Sequence, residues 1–164
     1  MYLELYYFNA QTQFHIRWLY QGMKTLVVLA LVATFAYAYD PVFVDELEDI
    51  VLNKQDEIEL DRLDDDKNML RSEKKKKLEE ILSRQPENIQ QLFAKEVERE
   101  KLKHQAKFER KMARATDPAV KDYLQQVEVI GSDMNISDGD AKRKIKELKS
   151  KLTDSQLREL KKLD

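Results

Sequence analysis

Cysteine is absent from the 164 residues of this chain. Its absence excludes disulfide scaffolds, zinc sites with thiolate ligands, iron-sulfur centres and thiol nucleophiles. No charge of one sign dominates either, since 29 Lys and Arg residues face 31 Asp and Glu residues. A formal net charge of -2 does not indicate a binder of nucleic acid or of acidic lipid. The length fits one domain of ordinary size.

Glycine and histidine are scarce, with three and two residues in the whole chain. Downstream of residue 38 only Gly131 and Gly139 remain, too few for a phosphate-cradling loop or a nucleophile elbow. The one histidine there, His104, and the run 74–77 of four lysines are both predicted to lie on solvated helix faces. Carboxylates lie in charge runs rather than beside apolar residues that would raise a pKa. The sequence therefore predicts a protein that is not an enzyme.

Apolar residues are concentrated in the first 38 residues, which hold 26 of them and three charges. A Met-Lys start at residue 23, an apolar stretch and the sequence Ala36-Tyr37-Ala38 predict a signal peptide over 23–38, cleaved after Ala38. The alternative is a transmembrane helix, but the uncharged run of 15 residues is shorter than the roughly 20 needed to span a bilayer. Residues 1–22 are interpreted as a gene-model extension. We expect a secreted, extracellular protein without a membrane span after cleavage.

The remaining chain shows apolar spacings of three and four, typical of α-helices, and no alternation with period two. This pattern predicts an all-α fold with six or seven helices. The acidic stretch 56–66 is predicted to be a weak helix or a mobile segment. A long helix from Ile89 to Met112 or beyond has an apolar stripe that lapses over 98–101, which predicts a solvated middle between two packed ends.

Helix boundaries are indicated by residues with known capping preferences. Pro86 and Gly131 are predicted to end helices. The predicted starts are Ser72, Asp117-Pro118, Ser137 with Asp140, and Thr153 with Gln156.

An internal repeat appears when residue 66 is aligned with residue 133. The segments DKNMLRSEKKKKLEEILS and DMNISDGDAKRKIKELKS then share six of 18 positions. Each copy has an acidic, amide-rich loop, a helix, a short turn and another helix. Two helix-loop-helix units joined by a long helix predict a calmodulin-like layout.

The acidic loops raise the question of calcium binding, but their spacing is not that of a working EF-hand. Lys75 and Lys144 occupy the position where an EF-hand has a bidentate glutamate, and Met69 and Asp138 occupy the position of its glycine. A weakly held, largely hydrated cation such as magnesium remains one interpretation. The other is that these acids interact with helix dipoles at N-termini. The metal ligands under the first interpretation are Asp64, Asp66, Asn68, Asp133, Asn135, Asp138 and Asp140.

The C-terminal half resembles the SXP/RAL family of secreted nematode antigens. The matching motif is a loop of the type I-x-x-D-x-S/N-hydrophobic-S/T followed by a closing Arg-Glu-Leu segment, and the similarity extends over residues 58–163. The resemblance implies a helical, cation-binding domain of the Anisakis-allergen type that is secreted and exposed to the host, without a known biochemical activity. The matching residues are Ile130, Asp133, Ile136, Ser137, Ile145, Leu148, Arg158, Glu159 and Leu160.

We therefore expect an N-terminal segment over 39–57, a helical domain over 58–164, and a secreted binding or interaction protein. Its partner is an unknown protein or small-molecule ligand, with magnesium as the one cofactor considered. The alternative function is a carrier of small hydrophobic ligands of the fatty-acid or retinoid type. The absence of tryptophan after residue 38 argues against the roomy apolar pocket that such a carrier needs.

Overall fold

The computed structural model describes residues 40–163, so the predicted extension, signal peptide and cleavage site lie outside the described residues. Seven α-helices and no β-strand occur between residues 40 and 163, which confirms the all-α prediction. The helices are α1 Val44–Glu48, α2 Lys54–Asp65, α3 Arg71–Ser83, α4 Glu87–Arg114, α5 Pro118–Ser132, α6 Asp138–Lys149 and α7 Asp154–Leu163.

Three helix starts form as their sequence signals predict. Asp117 accepts a hydrogen bond of 2.8 Å from the backbone N–H of Ala119, and Ser137 Oγ accepts one of 3.1 Å from that of Asp140. At the start of α7 the backbone N–H of Thr153 donates to Gln156 Oε1 over 2.9 Å, as in a capping box. These starts are encoded locally, so they could be predicted without the tertiary structure.

Of the two alternatives for the acidic stretch, the structure has the helix: α2 covers it, because Asn53 caps its start and because Leu60 and Leu63 are buried in the core. Two helix boundaries differ from the prediction. Ser72 does not cap α3, whose first N–H groups are instead satisfied by the carbonyl groups of residues 134 and 136. Gly131 does not end α5, which continues to Ser132.

Most of the buried apolar residues form two clusters near the two ends of α4. Ile89 is the one residue of this 28-residue helix that is buried; in the predicted lapse of the stripe, residues 98, 99 and 101 are exposed and Glu100 is half-buried. Each large apolar side chain buried in a cluster contributes about 1.5–3 kcal/mol. The first cluster consists of Val42, Val44, Leu47, Leu60, Leu63, Leu78, Ile81 and Ile89, and the second of Ala115, Val120, Tyr123, Leu124, Leu160 and Leu163.

The predicted calmodulin-like layout is not confirmed. The α2-α3 loop and the α5-α6 loop contact each other through an isolated antiparallel bridge between Leu70 and Ser137. The two helix-loop-helix units are therefore joined directly at their loops, rather than held apart by the long helix.

Candidate functional site in the paired loops

The two predicted loops have the same local conformation. Asp66 Oδ1 accepts a hydrogen bond of 3.1 Å from the backbone N–H of Asn68, and Asp133 Oδ1 accepts one of 2.9 Å from that of Asn135. Both are turns in which an aspartate bonds to the backbone two residues on. Residues 66 and 133 are the positions that the repeat alignment superimposes, so the repeat in the sequence corresponds to a repeat in loop geometry.

The contact between the loops follows the same symmetry. The backbone N–H of Ser72 donates to the carbonyl of Met134 over 2.9 Å, and that of Gly139 donates to the carbonyl of Lys67 over 2.8 Å. The two donors, Ser72 and Gly139, are 67 positions apart, and so are the two acceptors, Lys67 and Met134. A local twofold axis therefore relates the loops, and the first turns of α3 and α6 are stabilised by the opposite loop.

Gly139 is required by the closeness of this contact. A Cβ atom built at position 139 would lie 2.9 Å from the carbonyl oxygen of Lys67, a backbone atom that the loop pairing holds in place. The two loops could not approach as closely with any other residue there.

A buried ionic cluster joins the start of α3 to the start of α6 beside the paired loops. Asp138 Oδ1 accepts from Arg71 Nε over 2.8 Å, and Asp138 Oδ2 accepts from Lys74 Nζ over 2.7 Å. Arg71 is 2% exposed and Lys74 0% exposed, so the solvated face predicted for the lysine run is wrong for its first member. Lys74 precedes Leu78 and Ile81 by four and seven residues, and this inward-facing spacing is the signal that sequence analysis missed.

The remaining donors of the two cations satisfy backbone carbonyls. Arg71 Nη1 donates to the carbonyls of residues 130, 131 and 133 over 2.9–3.2 Å, at the C-terminal end of α5. Lys74 Nζ donates to the carbonyl of Asp64 over 3.2 Å, at the end of α2. Two internal cations thus bind helix C-termini, where the helix dipole favours positive charge.

The pKa of Asp138 reflects this arrangement. Burial alone would raise the pKa, but the hydrogen bonds from Lys74 and Arg71 outweigh the burial and hold it below its ordinary value of 3.8. Asp138 is therefore a carboxylate at neutral pH.

Most of the proposed metal ligands are already engaged within the protein. Asp64 accepts from Lys67 Nζ over 2.8 Å, and Asp140 pairs with Arg143. Asp66 and Asp133 bind backbone N–H groups of their own loops, while Asn68 and Asn135 are exposed. Across residues 40–163 no group of three or more His, Cys, Asp or Glu residues is placed to hold a metal ion.

The interpretation that the loop acids interact favourably with a helix N-terminus applies to the second loop and not to the first. Asp138 and Asp140 lie in the first turn of α6, where the helix dipole favours negative charge. Asp64 and Asp65 lie in the last turn of α2, where it does not. The ammonium groups of Lys67 and Lys74 offset that unfavourable placement.

A cavity of about 270 Å³ lies between α1 and the middle of α4. The side chain of His104 is only 26% exposed, and its Nε2 lies 2.8 Å from Glu128 Oε2, so the predicted solvated histidine is wrong. The lining combines both charges with an apolar minority: Asp40, Phe43, Val44, Asp45, Glu46, Glu100, Lys103, His104 and Lys107.

Three carboxylates of this cavity have raised pKa values, contrary to the prediction that none is placed to be shifted in this way. Burial raises the pKa values of Asp40 and Asp45 above 3.8. Burial also raises that of Glu46 above 4.5, and the charges of Asp45 and Glu100 add to the effect. Partial burial in the cavity wall is therefore the main cause of all three shifts.

Comparison with protein-family profiles, with curated proteins and with solved structures finds no match to this chain. Between residues 40 and 163, no helix has both the length and the apolar character needed to cross a bilayer.

Proposed function

We propose that the protein is a secreted, non-enzymatic binding or interaction protein of the nematode SXP/RAL type, exposed to the host as an antigen. Residues that carry the resemblance support this proposal by their roles in the second loop. The carbonyl of Ile130 accepts from Arg71, Asp133 forms the loop turn, and Ser137 both caps α6 and forms the bridge. Three of the nine residues that carry the resemblance thus contribute to the loop pair.

The observation that supports weak cation binding is that Arg71 and Lys74 form buried ion pairs with Asp138 beside the paired loops. Their charges lie beside the loops and already neutralise Asp138, so the fold has its own buried cations there. A divalent ion then meets only partly exposed oxygen atoms, such as those of Asp66 and Asp133, and keeps most of its water. The loops accordingly bind divalent cations weakly, and magnesium is the fitting ion because it needs few protein ligands.

The hydrophobic-carrier alternative is less well supported. The cavity beside α4 is smaller than the roughly 300–1,000 Å³ typical of ligand pockets, and most of its lining residues are charged. An apolar ligand there would remove water from carboxylates without replacing their hydrogen bonds.

Isothermal titration of the chain that begins at Tyr39 tests these alternatives. With magnesium and with calcium we expect dissociation constants in the weak range of about 10⁻⁴ to 10⁻³ M. A long-chain fatty acid should give no saturable heat. Micromolar calcium affinity with a large change in helicity would overturn the proposed cation binding, and saturable fatty-acid binding would favour the carrier.

Secretion is tested separately by expressing the full chain in eukaryotic cells and sequencing the N-terminus of protein recovered from the medium. We expect the sequence to begin at Tyr39. Protein that stays inside the cell, or that reaches the medium beginning at Met1 or Met23, would contradict the signal-peptide assignment.

A further inference from the structure

A second, larger cavity lies at the opposite end of α4 from the first core cluster. It is an open groove of about 460 Å³ between the end of α4, the residues that precede α5 and one face of α7. Ser155, Arg158 and Lys162 lie on that face, since residues three and four apart are neighbours on a helix surface. Arg114 at the end of α4 and Thr116 complete its polar lining.

The one carboxylate in the groove is held against the start of α5. Glu159 Oε1 accepts from the backbone N–H groups of Thr116 and Asp117, over 2.6 and 3.0 Å, and from Thr116 Oγ1 over 3.1 Å. The two backbone bonds lower the pKa of Glu159 below 4.5, so the group is ionised at neutral pH. Glu159 thus accepts from the backbone N–H groups of the two residues before α5, which the helix itself cannot satisfy.

The three cations of the groove have no carboxylate partner among residues 40–163. Arg114 Nη2 donates to the carbonyl of Lys162 over 2.6 Å, which fixes the guanidinium at the end of α7. Some other exposed cations pair with acids one turn away, as Lys54 does with Glu57 and Lys103 with Glu100, each over 2.6 Å. Arg158 and Lys162 instead place like charges one turn apart, an arrangement that is unfavourable without a counter-charge.

We infer that this groove binds a tetrahedral oxyanion, the phosphate or sulfate group of an ester. A guanidinium presents paired N–H donors that match two oxygens of such a group, and an ammonium adds a mobile point charge. Arg114, Arg158 and Lys162 supply these donors. The inference does not depend on the proposed cation binding, because the loops and the groove share no residue.

Titration of the full chain with inorganic phosphate and, separately, with inorganic sulfate at constant ionic strength tests this site. Amide chemical shifts report where each anion binds. The variant R158Q/K162Q removes two of the three charges, and we expect it to weaken binding about tenfold, since each exposed charge contributes up to about 1 kcal/mol. The matched control is K142Q/K146Q, which removes two exposed lysines at the same spacing on α6.

The expected result is a set of shifts confined to the groove, abolished or weakened in R158Q/K162Q and changed less than about twofold in the control. Preference for phosphate or for sulfate would identify which ester the groove fits. Shifts spread over all exposed basic residues, or an equal loss in both variants, would overturn the site in favour of general ionic screening. Circular dichroism of both variants distinguishes loss of binding from loss of folding.

Discussion

Replacing Asp138 with asparagine should be among the most destabilising single changes in the described part of the chain. The carboxylate accepts from Arg71 over 2.8 Å and from Lys74 over 2.7 Å, and the residue is 8% exposed. The amide group of asparagine keeps one acceptor oxygen but directs an N–H₂ group at the other cation. One buried cation then loses its counter-charge and its acceptor.

The expected loss is about 3–5 kcal/mol, the range measured when one partner of a buried ion pair is removed. A domain of this size has a free energy of unfolding of about 5–15 kcal/mol, so the variant would be close to its stability limit. The control is D140N, two residues away, whose exposed pair with Arg143 is worth about 1 kcal/mol or less.

Urea denaturation followed by far-ultraviolet circular dichroism measures both variants. A double-mutant cycle of D138N with K74M isolates the coupling energy between the two side chains. We expect the double variant to lose less free energy of unfolding than the sum of the losses of the two single variants. Because the pKa of Asp138 is lowered on folding, its contribution is present above about pH 4 and is lost as the pH falls toward the lowered value. A loss for D138N no larger than that for D140N would refute the reasoning.

The other predictions use residues whose surroundings differ in a defined way. G131A should stabilise the protein by about 0.5–1 kcal/mol, because Gly131 lies inside α5 and nothing is within 4 Å of an added Cβ. G139A should destabilise the protein, because its Cβ would collide with the carbonyl of Lys67. Melting temperatures of the two variants that shift in the same direction would contradict this pair of predictions. D40N should be more stable than the parent at pH 7, because the pKa of Asp40 is raised on folding, and this advantage should vanish in urea titrations as the pH falls to about 3.8. D66A and D133A should weaken magnesium binding equally in calorimetric titrations, since the two aspartates occupy corresponding positions of the repeat and form the same turn. An effect confined to one variant would rule out a symmetric site.

The helical class, the cap residues Asp117, Ser137 and Thr153, and the exposure of most of residues 98–101 could be predicted from the sequence alone. They depend on interactions within one turn or on the spacing of apolar residues along one helix, and both are visible in a linear chain. The repeat of 67 residues was also visible there, and it identified the two loops that form the bridge.

Tertiary structure decided how the loops meet and which charges are buried. Ser72 carries a capping residue type, yet the first N–H groups of α3 bind the opposite loop, a partner more than 60 residues away. Lys74 stands in a run of four lysines; its spacing from Leu78 and Ile81 indicates the inward helix face, but the packing of α3 against both loops is what buries it. The local sequence shows that a residue is charged and which helix face it lies on. Whether that charge is buried depends on a counter-charge that the fold brings from a distant part of the chain.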